Sequence, residues 1–151
     1  MSKITTISDK GIELIKEFEA FKSEPYLCPA KVPTIGYGTT RYPNGSKVQL
    51  SDPSITEEKA VEYLKHDLHQ FELAVDAMAV DTINQNQFDS LVSMCYNIGA
   101  NGLKNSTLLK RVNLGEGDIK EAFLMWNKAG GKVVKGLTNR RLKEYELFAS
   151  T

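Results

Sequence analysis

Apolar residues at helical spacing open the chain: Ile12, Ile15, Phe18 and Phe21 follow Ser8 and Asp9, which can cap a helix, and Pro25 requires that the helix has ended. From Tyr26 to about Val48 the pattern changes to short β-prone pieces broken by Pro29, Pro33, Gly36, Gly38 and Pro43, with Asn44-Gly45 as a hairpin-turn signal. A long helix is then expected, capped by Ser54 or Thr56 and carrying Glu57 and Glu58 where the helix dipole favours negative charge. Its stripe of Val61, Leu64, Leu68, Phe71, Val75 and Met78 steps by three and four, giving one buried face that can connect a small β-containing lobe to a helical one. Shorter helices are predicted for Asn84–Ile98, Ser106–Asn113, Asp118–Trp126 and Thr138–Phe148, with Asp118 and Glu121 forming a capping-box pattern. No stretch repeats and no strands alternate with helices, so the expected class is α+β with helix dominant, in one domain over residues 1–151.

The 151 residues are enough to bury roughly 70% of the unfolded surface without disulfide staples. Basic and acidic residues balance at nineteen each, but unevenly: nine against fourteen in the first hundred residues, ten against five in the rest. A basic tail packed as one surface could dwell on an anionic polymer; a solvated helical surface explains it equally well. The amino terminus has no apolar stretch of signal-peptide or membrane-helix length, so the protein is expected to stay where it is made. Of the two cysteines, Cys95 shares an apolar helical face with Phe88, Leu91 and Ile98 and reads as core.

The candidate chemistry lies in a short stretch. Glu19 ends the first helical pattern, Cys28 follows, and Thr34 opens the run Thr34-Ile35-Gly36-Tyr37-Gly38. A proton donor facing a hydroxyl across a small cleft suits sugar hydrolysis, which needs an acid for the leaving oxygen and an opposing group to hold or activate water. As general acid Glu19 has to hold its proton near neutral pH, which burial behind Phe18 and Phe21 would favour; alone, it reads as one more solvated helix residue beside Glu13 and Glu17. Thr34 is too poor an acid or base to act by itself, but can place a water.

Phe18-Glu19, Pro25-Tyr26-Leu27-Cys28-Pro29-Ala30 and Thr34-Ile35-Gly36-Tyr37-Gly38 resemble the active-site segment of phage endolysins of the T4-type lysozyme family, which are muramidases. The resemblance continues through Asn86-Gln87-Phe88-Asp89, Tyr96-Asn97-Ile98-Gly99, Ser106-Thr107-Leu108-Leu109 and Gly136-Leu137-Thr138-Asn139-Arg140-Arg141, and so spans nearly the whole chain. It implies a lysozyme-like fold, with a hairpin lobe joined by a long helix to a helical lobe and a cleft between them. It also implies cleavage of the β-1,4 bond between N-acetylmuramic acid and N-acetylglucosamine in peptidoglycan. Glu19 is then the acid and Thr34 the residue that holds water.

Two positions depart from the family pattern. Cys28 stands where an aspartate is commonest, and Thr39 where histidine is usual. Three roles for Cys28 remain open: a thiolate base, which is favoured; a nucleophile or negative charge near the transition state; or an inert neighbour of Thr34. Tyr26 and Tyr37 offer flat faces for sugar rings, although core packing suits at least one of them. Asn97 could bond substrate or simply end a helix. Arg140 and Arg141, expected in the first turn of the last helix where the dipole disfavours cations, ask for a carboxylate partner; the resemblance suggests Glu19, and a surface ion pair is the alternative.

No cofactor or metal is expected, since His66 and His69 have no zinc-ligand set around them, which argues against a zinc amidase. The expected partner is bacterial peptidoglycan, met as a monomer, with no nucleic-acid or membrane partner and no separate wall-binding domain. Synthesis in the host cytoplasm and release through a holin follow from the resemblance. The rival readings are a lytic transglycosylase, which needs the glutamate but no water base, and a non-catalytic wall-binding module.

Overall fold

The computed structural model describes residues 4–150; Met1–Lys3 of the amino-terminal stretch read above, and Thr151, lie outside them. The architecture is α+β with helix dominant, and the chain divides into two compact units, Ile15–His69 and the remainder. Among the described residues, no helix is long and apolar enough to cross a membrane.

The unit Ile15–His69 contains the end of α1 (Asp9–Phe18), a two-stranded sheet and the first part of α2 (Glu57–Met78). Strands β1 (Lys22–Leu27) and β2 (Pro33–Gly36) pair antiparallel with Tyr26 opposite Thr34 and Leu27 opposite Pro33. Pro25 falls inside β1, where the register is irregular and its missing N–H costs no ladder bond. The Asn44-Gly45 turn closes a single Arg41–Lys47 bridge rather than a long hairpin. Within it the Tyr42 amide donates to Ser46 O at 2.9 Å and the Gly45 amide to Tyr42 O at 2.8 Å. Ile15, Ile35, Leu64 and Leu68 form the sealed core of this unit.

Helix α2 is capped by Thr56, whose hydroxyl accepts from the Lys59 amide at 3.2 Å and whose carbonyl accepts from the Ala60 amide at 3.0 Å. Its fully buried line is Ala60, Leu64, Leu68 and Val75. Val61, Phe71 and Met78 of the expected stripe are only half-buried, so the buried face is turned slightly from the one read in the sequence. Glu72 also lies on it, and its carboxylate accepts from the Ile7 amide at 2.7 Å, which explains a buried charge on an apolar face.

In the other unit, α3 (Gln85–Ile98) packs chiefly on α7 (Lys135–Ala149), which also meets α6 (Ile119–Leu124). Helices α4 (Ala100–Lys104) and α5 (Thr107–Leu114) lie between α3 and α6 in the chain. Phe88, Leu91, Met94, Cys95, Leu108 and Phe123 make its core. Asn84 and Gln87 close a reciprocal capping box on α3. Only half of the expected Asp118/Glu121 box forms, because the Glu121 carboxylate turns to Arg111 at 2.8 Å. Two elements were not expected: α4, and a hairpin of β3 (Lys128–Ala129) and β4 (Lys132–Val133) turning on Gly130-Gly131, both at positive φ. Helix α7 starts three residues before Thr138, which moves Arg140 and Arg141 out of the first turn and corrects the dipole argument.

Candidate active site

Glu19 is the first residue past α1. Its amide still donates to Ile15 O at 2.8 Å, so the helix end fixes its backbone while the side chain is half-buried. Phe21 does not continue the helical stripe; it lies past the helix, with its ring 5.6 Å from that of Tyr37.

Cys28 begins the turn between β1 and β2. The Cys28 amide donates to Val32 O at 3.2 Å and the Lys31 amide to Cys28 O at 2.7 Å, a closure tight enough to hold Lys31 at a φ of 62°. The thiol lies below its ordinary pKa, chiefly through a backbone hydrogen bond at Val32. Ala30, the Thr34 hydroxyl and its own backbone add to this against a smaller desolvation effect. Thr34, 3% exposed, donates its hydroxyl proton to Val32 O at 2.8 Å. A hydroxyl carries one proton, so a Cys28 thiolate is the competing acceptor for it. The Val32 backbone thus holds both side chains, a hub that nothing in the sequence marks.

Tyr26, opposite Thr34 in the sheet, links this turn to Glu19. Burial raises its phenol pKa first, and the charges of Cys28 and Glu19 raise it further. Its ring is half-buried and keeps an open part. Tyr37, by contrast, is 3% exposed: its hydroxyl donates to Glu57 at 2.5 Å and Lys16 sits 5.8 Å over its ring. Tyr37 thus sits where the core-packing reading of one of the two tyrosines placed it, its ring and hydroxyl engaged by Phe21, Lys16 and Glu57. That hydroxyl and then Lys16 hold Glu57 below the usual carboxylate range.

The glycines of this run are needed where they stand. Gly36 has a φ of 68°, and a Cβ there would meet the Ala60 side chain at 3.1 Å. Thr39, at the position of the family's histidine, is fully buried and donates to Asp67 at 2.8 Å, pinning the turn after β2 to α2. Burial raises the Asp67 pKa against that bond. Sequence reading missed Glu57 and Asp67 as anchors; the available signal was an acidic residue set between Leu64 and Leu68 on an otherwise apolar stripe.

Asn97, Arg140 and Arg141 lie in the other unit. Arg140 and Arg141 pair with Glu144 of their own helix at 3.3 and 3.1 Å, and the Ser93 hydroxyl donates to the same carboxylate at 2.6 Å. The cluster is buried, so it is not the surface ion pair of the alternative reading. Arg141 also donates to the Met94 sulfur and, at 2.5 Å, to Asn97 Oδ1. That last bond fixes the Asn97 amide and leaves its N–H donors facing away from Arg141 on an exposed side chain.

The family described as Phage lysozyme matches residues 16–144. The endolysin of Bacillus phage B103 is 44% identical over 94% of this chain and 53% of its own length, and the chain spans about half the length of the Bacillus phage relatives it matches. The fold resembles a crystal structure of a variant lysozyme of Salmonella phage P22, with a TM-score of 0.88 at 37% identity, covering 97% of this chain and 100% of that one. It also resembles the muramidase domain of SpmX from Asticaccaulis excentricus, with a TM-score of 0.81 at 34% identity, covering 97% and 99%. A match over most of the chain, agreement of fold and the ordered site segment converge: the chain has a lysozyme-like fold and belongs to the phage lysozyme family.

Proposed function

We propose that this chain is an endolysin muramidase that hydrolyses the β-1,4 bond between N-acetylmuramic acid and N-acetylglucosamine in peptidoglycan. The observation that carries the reading is the closed Cys28–Thr34 turn: Val32 O accepts from both the Cys28 amide and the buried Thr34 hydroxyl, beside a thiol whose pKa lies below its ordinary value. Residues 1–151 act as one catalytic domain. Glu19 gives its proton to the leaving glycosidic oxygen as the bond to the anomeric carbon breaks. Water held by Thr34 attacks that carbon, and the Cys28 thiolate takes the proton that water gives up. Exchange with solvent then returns a proton to Glu19 and removes one from Cys28. Tyr26 and the amide donors of Asn97 contact the glycan, and Arg140 and Arg141 act as structural supports. The protein is made in the host cytoplasm, acts as a monomer, and reaches the wall after a holin permeabilises the inner membrane, as the family resemblance implies.

The test is lysis of isolated peptidoglycan. Glu19→Gln is expected to lower the rate by about 10²- to 10⁴-fold, the usual share of general acid catalysis, with binding to the wall retained. A variant that lyses walls at the parent rate would contradict the assignment.

A further inference from the structure

Beside the catalytic turn lies an open cavity of about 460 Å³ that none of the roles above uses. Its walls are shared with the site: Val32, whose backbone holds Cys28 and Thr34, and Pro33, which precedes Thr34 in β2. Three cations line it, Lys31, Arg41 and Lys47, and no acidic residue does. All three are exposed, and among the described residues none is within ion-pair distance of a carboxylate. Elsewhere in the same unit, Lys16 and Lys59 pair with glutamates.

The three are placed rather than scattered. Lys31 is held at positive φ by the closed Cys28–Val32 turn, a conformation that is costly for a side chain with a Cβ. Arg41 and Lys47 face each other across an isolated β-bridge, and Arg41 is steadied by a 3.1 Å bond to Gly45 O. Val48, 2% exposed, supplies an apolar floor with Val32 and Pro33. An apolar floor ringed by unpaired cations fits a ligand with a short alkyl backbone and more than one carboxylate.

We propose that this cavity binds the carboxylates of the stem peptide carried by the muramic acid next to the bond being cut. The proposal rests on the muramidase reading, which brings a peptide-bearing glycan to Thr34. Peptide carboxylates are favoured over polymer phosphates because the stem peptide is covalently joined to the sugar at the catalytic turn, and the cavity adjoins that turn through Val32 and Pro33.

The test separates this proposal from the catalytic one by reading binding directly. The Glu19→Gln protein is titrated with a soluble disaccharide-tetrapeptide while backbone amide shifts are followed by NMR. The expected result is a shift set centred on Lys31–Pro33, Arg41 and Lys47–Gln49. A Lys31→Gln, Arg41→Gln, Lys47→Gln variant should bind about tenfold more weakly, the sum of three modest charge contacts, as should the same ligand with its carboxylates amidated. Equal binding by the parent, the triple variant and the amidated ligand would overturn the proposal. So would shifts at these residues with a glycerol-phosphate oligomer and none with the peptide. Whether active protein cuts glycan does not enter this readout. A muramidase with no carboxylate-dependent binding refutes the cavity alone, and a non-cleaving protein with such binding refutes the mechanism alone.

Discussion

At the scale of single residues, the proposed mechanism gives the Cys28 thiol the task of a carboxylate. Backbone and Thr34 hydrogen bonds stabilise the Cys28 thiolate without a neighbouring cation among the causes of its shift. Activity should therefore rise with pH as the thiol ionises, with a midpoint below the ordinary thiol range, and iodoacetamide should abolish it. Cys28→Ala is expected to lose the rising limb and most of the rate, while Cys28→Asp should restore activity with the limb moved into the carboxylate range. Wall-lysis rates against pH for the three proteins check this, and near-normal lysis by Cys28→Ala would assign the work to Thr34 alone. A second residue-scale outcome concerns Gly36. Its positive φ and the 3.1 Å approach of Ala60 predict that Gly36→Ala lowers stability by about 1–3 kcal/mol, measured by urea unfolding. The placing of Cys28 and Thr34 on one turn was legible in the sequence, because spacing and order survive translation into a turn. The fate of Tyr37 was not legible, because an aromatic ring suits a sugar face and a core equally, and only the partners Glu57, Lys16 and Phe21 decide it.

At the scale of elements, helix existence followed from periodicity, and errors gathered where tertiary partners set the ends. Residues 100–104 follow a glycine at φ 90° and are too few to display a helical period, so α4 was invisible; the two-residue strands around Gly130-Gly131 were too short to alternate. Helix α3 gives two checks. Loss of the cap in Asn84→Ala should cost about 1 kcal/mol in denaturant unfolding, because the Gln87 amide loses its 2.8 Å acceptor, Asn84 Oδ1, while the backbone amide of residue 84 can still donate to the Gln87 side chain. Cys95, fully buried, has its thiol pKa pushed by desolvation from 9.0 up to about 11. The folded state thus keeps the proton that the unfolded chain gives up. Stability from this group is intact below pH 9 and falls by on the order of 2–3 kcal/mol as pH rises toward 11. Unfolding free energies between pH 8 and 11 should show that extra decline in the parent and not in Cys95→Ala.

At the scale of the molecule, the buried cluster of Arg140, Arg141 and Glu144 ties α7 to α3 through Ser93 and Asn97. Burial pushes the Glu144 carboxyl up against the pull of Arg141, Arg140 and the Ser93 hydroxyl. Replacing it in Glu144→Gln takes a shared carboxylate away from two buried guanidinium groups, and a loss of about 3–5 kcal/mol is expected in thermal or denaturant unfolding. The sequence announced that these arginines needed a carboxylate, and Glu144 supplies one from their own helix, a partner one helical turn away that the first-turn placement had hidden. The central claim remains that water, activated at the Cys28–Thr34 turn, cleaves the glycan. Mass spectrometry of the fragments released from purified peptidoglycan tests it most directly. Reducing N-acetylmuramic acid ends are the expected product of attack by water; anhydro-muramic ends, or no glycan fragments at all, would rule it out.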